Sequence, residues 1–138
     1  MKWYNYLWEL PQFLLCLIVM LFLTDKKDDG FYKDRRVIRF KKGKFFSGTS
    51  LCWILLPYDS EIMTVAHEWG HCMQSRDWGF LYLLVFGIPS LLNNLNGRKI
   101  HKYMTYNEVQ KDYYTRYPED DADRRGGVTW VNGERVFL

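Results

Sequence analysis

The sequence predicts an α+β fold, and three stretches carry that prediction. RRVIRFKKGKFFSGTSLCWILLPYDS, residues 35–60, is rich in β-branched and aromatic residues broken by turn formers. EIMTVAHEWGHCMQSR, residues 61–76, sets Ile62, Val65, Ala66, Trp69 and Met73 at three- and four-residue steps, the spacing of one helix face. RYPEDDADRRGG, residues 116–127, places Pro118 before an acidic turn and closes on two glycines, the start and stop of a short helix. The 138 residues suffice for one domain rather than two.

At the N-terminus, WYNYLWELPQFLLCLIVMLFL (residues 3–23) is the most hydrophobic segment. Its unbroken apolar run covers only residues 13–23. At ~1.5 Å per residue that falls short of a hydrocarbon core about 30 Å thick. The aromatic flank of Trp3, Tyr4, Tyr6 and Trp8 suits the headgroup level, and Pro11 opens or bends the helix. We read residues 1–25 as an apolar, membrane-associated helix, with a buried core helix as the competing reading. No small-residue cleavage site lies just after Leu23, which argues against a signal peptide.

Residues 26–138 form the second unit. Between Lys26 and Lys44 nine basic residues stand against three aspartates, and only Lys2 precedes the apolar segment. The positive-inside rule keeps residues 26–138 cytoplasmic. The basic stretch suits anionic headgroups or forms a solvated hairpin face. Strands at 37–40 and 45–46 flank a turn at Gly43, and 51–56 is a further strand ended by Pro57. Ser60 is the expected N-cap of the helix at 61–76. GFLYLLVFGIPSLLNNL, residues 79–95, is interrupted by Gly87 and Pro89 and reads as a kinked helix packed on the N-terminal one. Residues 106–114 are weakly helical, 119–125 form the acidic helix, and Asn132-Gly133 marks a hairpin in the tail.

A net charge of +3 gives no footing for a strongly basic nucleic-acid binder. Cys16, Cys52 and Cys72 are odd in number and lack C-x-x-C spacing. They read as small buried hydrophobes rather than a disulfide framework.

The chemistry lies in His67-Glu68-Trp69-Gly70-His71. Positions four apart share a helix face, so two imidazoles reach one zinc ion. Glu68, one position on from His67, sits beside that ion and can take a proton from the attacking water. A catalytic zinc needs a third protein ligand and an open position. Asp77, ten residues after His67, is one candidate, but Gln74 stands where such an arrangement needs glycine to turn the chain. His101, in RKIHKY, is another. Glu119 is the stronger, because Asp123 stands four residues on and can accept the N–H of a ligand histidine. Tyr113, Tyr114, Tyr117 and His101 are candidate donors to a developing oxyanion.

H-E-x-x-H followed by E-x-x-x-D, here His67, Glu68, His71, Glu119 and Asp123, resembles the gluzincin metallopeptidases, the thermolysin-like branch of the zincins. The 48 residues from His71 to Glu119 exceed that branch's usual spacing. LPQ (10–12), HEWGH..QS (67–75), GFLYLLVFGIPSLL (79–92) and E...AD..GG (119–127) also resemble small uncharacterised bacterial proteins regarded as membrane-associated metallopeptidases. The resemblance implies a minimal zincin-like fold: a small antiparallel sheet, the H-E-x-x-H helix and a second helix carrying the glutamate. It implies a zinc peptidase with one ion, a peptide or protein substrate, and membrane lipids as partners through residues 3–23 and 26–44. The alternative is a non-catalytic membrane protein with a structural zinc or no metal.

Overall fold

Alternation along two strands decides the architecture. In the computed structural model, which describes residues 1–43 and 48–138, β1 (Lys27–Tyr32) and β2 (Arg35–Phe40) form an antiparallel hairpin. β3 (Thr49–Ser50) and β4 (Ile54–Pro57) complete a sheet of order β1-β2-β4-β3. Side chains alternate across it. Ile38, Phe40 and Leu55 join one core cluster; Val37, Ile54 and Leu56 join the other. After a short helix α1 (Trp3–Trp8), α2 (Leu10–Phe22) covers the first face with Cys16, Val19 and Met20. α3 (Ile62–Trp78) covers the second with Val65, Cys72 and Met73. Each fully buried Ile or Leu in these layers contributes ~1.5–3 kcal/mol. The fold is therefore α+β, with the sheet between two helical layers.

The sheet is mixed, which corrects the expected antiparallel one. β2 and β4 are parallel, with Val37 opposite Ile54 and Phe40 opposite Pro57. Parallel neighbours need a return connection rather than a tight turn. β3, next to β4, forms one edge of the sheet. The expected strand at 45–46 lies outside the described residues. Within 51–56, strand begins only at Ile54, while Leu51 packs into the α2-side core.

The N-terminal segment is tied to the sheet by polar groups. Glu9 and Arg35, both fully buried, form an ion pair at 2.7 Å. Arg35 also donates to the carbonyls of Cys52 and Cys72. Gln12 donates to the Gly79 carbonyl, and the Trp8 indole packs on Phe80 with centroids 5.8 Å apart. The far side of α2, including Leu14, Ile18, Leu21 and Phe22, is exposed. Among the described residues no helix is long and apolar enough to cross a membrane.

Helix α3 begins at Ile62 with Glu61, not Ser60, at the N-cap and no side-chain cap. The expected kinked segment is a 3₁₀ turn (Gly79–Leu81), a π-helical turn (Leu83–Gly87) and then α4 (Ile88–Ile100), with Pro89 in its first turn. α5 (Tyr106–Tyr114) opens on a capping box between Thr105 and Glu108. α6 (Glu119–Gly126) begins after Pro118 and ends at Gly127, whose φ of 80° suits glycine at a helix stop. β5 (Val128–Val131) and β6 (Glu134–Phe137) pair across Asn132-Gly133, as the two-residue turn predicts.

Candidate metal centre

Two glycines bring the site together. α3 and α6 approach so closely that a Cβ on Gly70 would meet the Ala122 carbonyl, and one on Gly126 the Ala66 carbonyl and the His67 nitrogen. With side chains there the helices stand further apart. At this distance Glu119, in the first turn of α6, reaches the histidines of α3. Gly70→Ala is expected to cost about 1–3 kcal/mol by overpacking. A lower urea midpoint together with weaker zinc uptake is the expected result; unchanged zinc affinity would show that the close approach does not position Glu119.

Among the described residues, one group of donors has the spacing of a metal site: His67, His71 and Glu119, all buried, with donor atoms within 4.8 Å of one another. Glu119 Oε2 lies 3.2 Å from His67 Nε2 and 3.0 Å from His71 Nε2. Two donors on a tetrahedral zinc, at about 2.0–2.1 Å from it, stand about 3.3 Å apart. The two Glu119 distances are compatible with donors of one tetrahedral ion, and the three donors lie within 4.8 Å of one another.

Hydrogen bonds set which ring nitrogens face the centre. The Gln74 amide donates from Nε2 to the Pro118 carbonyl (3.1 Å) and to Asp121 (2.9 Å). Its Oε1 is left to accept from His71 Nδ1 at 2.8 Å, which turns His71 Nε2 inward. Asp123 does the same for His67, accepting from Nδ1 at 2.7 Å. Asp123 is itself gripped by Arg135, whose guanidinium stacks 3.5 Å above the Tyr114 ring. The second Glu119 oxygen accepts from the Ser90 hydroxyl at 2.5 Å. These bonds fix tautomers and carboxylate orientation before any ion arrives.

Charge inside the cluster is balanced by protons. Burial alone lowers the His67 pKa, but its hydrogen bonds to Asp123 and Glu119 outweigh that and push it up to about 9. Burial raises the Glu119 carboxyl, yet the hydrogen bonds from His67 and His71 hold it well below the usual carboxylate range. His67 therefore carries a proton at pH 7 in the ion-free protein. That proton stabilises the fold fully below about pH 6.5, and the contribution is lost as pH rises through about 9. An ion bound through Nε2 would have to displace it, so if the site takes zinc, affinity is expected to rise with pH through this interval and binding at pH 7 to release protons. Calorimetric zinc titrations in buffers of different ionisation enthalpy measure the release. A value near zero would contradict the protonated His67.

Glu68 lies at the edge of the cluster, not in it. It lines a cavity of about 540 Å³ with His71, Ser50, Ser90 and Tyr113. The Ser50 hydroxyl on edge strand β3 donates to Glu68 at 2.6 Å. Of the four candidate oxyanion donors, Tyr113 lines this cavity, and burial first, then the charges of Glu119 and Glu68, keep its hydroxyl protonated well above the usual range. Tyr114 packs edge-on to His67 with centroids 5.0 Å apart. Tyr117 gives its hydroxyl to the Val85 carbonyl, and His101 pairs with Asp112 at 3.1 Å. Asp77 and His101 stand outside the donor cluster; Asp77 is half-exposed and pairs with Arg125 at 2.5 Å. Cys72 is buried in the core against the sheet, away from the donors.

Four participants were not foreseen: Ser50, Ser90, Gln74 and Arg135. Gln74 had a local signal, since it lies three residues past His71 on the same helix face. The others arrive from distant segments and leave no mark in spacing. No family model, curated protein or solved structure matches this chain.

Proposed function

We propose that the protein is a membrane-associated zinc-dependent hydrolase of zincin-like build, acting on peptide bonds. The observation that carries this is the convergence of His67, His71 and Glu119 on one point, with Glu68 beside them on the wall of a cavity. Three donors rather than four favour a catalytic over a structural zinc.

His67, His71 and Glu119 would hold the ion. Zinc held there supplies Lewis acidity, activating water and polarising a carbonyl. Glu68 takes the proton of the attacking water and passes it to the leaving amine. Ser50 holds the Glu68 carboxylate in place through its 2.6 Å hydrogen bond. Tyr113, protonated and facing the cavity, donates to the developing oxyanion.

Membrane association rests on the exposed apolar faces. Trp3, Leu14, Ile18, Leu21 and Phe22 on the N-terminal helices and Leu92 and Leu95 on α4 are all exposed, and Lys26 and Lys27 follow the end of α2 after Leu23, Thr24 and Asp25. Such area on one protein marks an interaction surface. On this reading the exposed apolar residues and the basic stretch seat the chain on one leaflet, and the positive-inside rule puts its catalytic part on the cytoplasmic side.

The test is metal analysis of purified protein, with hydrolysis of a quenched peptide library monitored with and without chelator. One zinc per chain and chelator-sensitive cleavage are expected. A chain that takes up no zinc sinks the proposal.

A further inference from the structure

The cavity is lined by Glu68, His71 and Tyr113 and by Asn94 and Arg98 of α4, together with apolar side chains. Leu15 and Val19 of α2, with Leu83, Ile88 and Leu91, form the walls. Ser90, Asn94 and Arg98 recur at four-residue steps and share one face of α4. Ser90 bonds Glu119, so this face begins at the metal centre. Arg98 is eight residues further on, about 12 Å along the helix axis.

Arg98 and Asn94 make no side-chain ion pair or hydrogen bond with each other among the described residues, and both face the cavity. A guanidinium with a carboxamide one turn away presents a set of N–H donors that suits a carboxylate. Arg98 is exposed and Asn94 half-buried, so both stay open to an incoming carboxylate. Thr49 and Ser50 of the edge strand also line the cavity, and an edge strand pairs with an extended peptide.

We infer that the site, if it is the proposed peptidase, cuts near the carboxyl end of its substrate: Arg98 and Asn94 hold the terminal carboxylate, and a short apolar segment fills the walls. An extended peptide advances ~3.3–3.6 Å per residue, so the span to Arg98 accommodates roughly two to four residues beyond the scissile bond. In the step itself, water oxygen bonds to the scissile carbonyl carbon and the C–N bond breaks. Glu68 moves the water proton to the leaving nitrogen. The products are a new carboxylate and a short apolar peptide bearing the original carboxyl end. Arg98 is a specificity-determining residue, distant from the reacting atoms.

The experiment compares one quenched peptide ending in Leu-Leu-Phe as free acid and as amide. It also measures equilibrium binding of the free tripeptide acid, its amide and dodecanol to the intact chain. The acid is expected to bind and be cleaved better than the amide. Arg98→Ala should raise KM for the acid about 10–100-fold, the weight of a charge-assisted hydrogen bond, with kcat little changed. The amide should be unaffected, and Arg98→Lys should restore part of the loss. Equal handling of acid and amide by the wild type, or a KM for the acid that Arg98→Ala leaves unmoved, would overturn the inference. So would dodecanol displacing the tripeptide, which would make the occupant a lipid chain. Arg98-dependent preference for the acid in binding without any cleavage would uphold the carboxylate site while removing the peptidase reading.

Discussion

Glu68→Gln is expected to keep its zinc and lose hydrolysis by about 10²–10⁴-fold in kcat, the usual weight of a general base. The substitution preserves size and can still accept the 2.6 Å hydrogen bond from Ser50, so the cavity wall stays in place. What it removes is the basic oxygen. Because Glu68 stands outside the donor cluster, metal content should stay at one ion per chain. Two measurements on one preparation decide the matter: zinc stoichiometry and turnover of the best library peptide. Full activity in the variant would refute Glu68 as the base. Loss of zinc would show that Glu68 is a ligand.

His71→Ala is the second large effect. It removes one of three donors and leaves Glu119 and His67 facing an empty corner. Zinc affinity should fall by more than the ~10–100-fold cost of altering a residue that only orients a ligand, such as Asp123. Thermal unfolding reads this without any activity assay. Zinc at 100 times its Kd stabilises a protein that binds it by about 2.7 kcal/mol. Wild type should show that gain, Asp123→Asn a reduced one at the same concentration, and His71→Ala none. Equal stabilisation of His71→Ala and wild type would remove His71 from the site and end the three-donor account.

The N-terminal segment shows how burial can run against polarity. A run as apolar as residues 13–23 predicts either a membrane helix or a core helix. In the structure α2 sends Cys16, Val19 and Met20 to the sheet while Leu14, Ile18, Leu21 and Phe22 face outward. The polar residues Glu9 and Gln12 are fully buried; Arg35 pairs with the Glu9 carboxylate and the Gln12 amide nitrogen donates to the Gly79 carbonyl, while Gln12 Oε1 has no partner among the described residues. Nothing within residues 3–23 names those partners, which come from β2 and from the end of α3.

Local spacing determined a good deal. The three- and four-residue steps of 61–76 pointed to α3, the Pro118 and Gly127 signals to α6, and Asn132-Gly133 to the last hairpin. Each rests on interactions within a few residues, where sequence order and spatial order coincide. H-E-x-x-H and E-x-x-x-D fall in the same class, since each pattern lies on one helix face. Only the tertiary structure decided the rest. The parallel pairing of β2 with β4 depends on a return connection that no local signal encodes. The close crossing of α3 on α6 depends on Gly70 finding Ala122 and Gly126 finding Ala66, more than 50 residues apart in each case. Ser50 on Glu68 and Ser90 on Glu119 are likewise contacts between distant segments. Such contacts form because packing two sheet faces and two helices leaves one arrangement that buries the apolar stripes and pairs the polar groups between them.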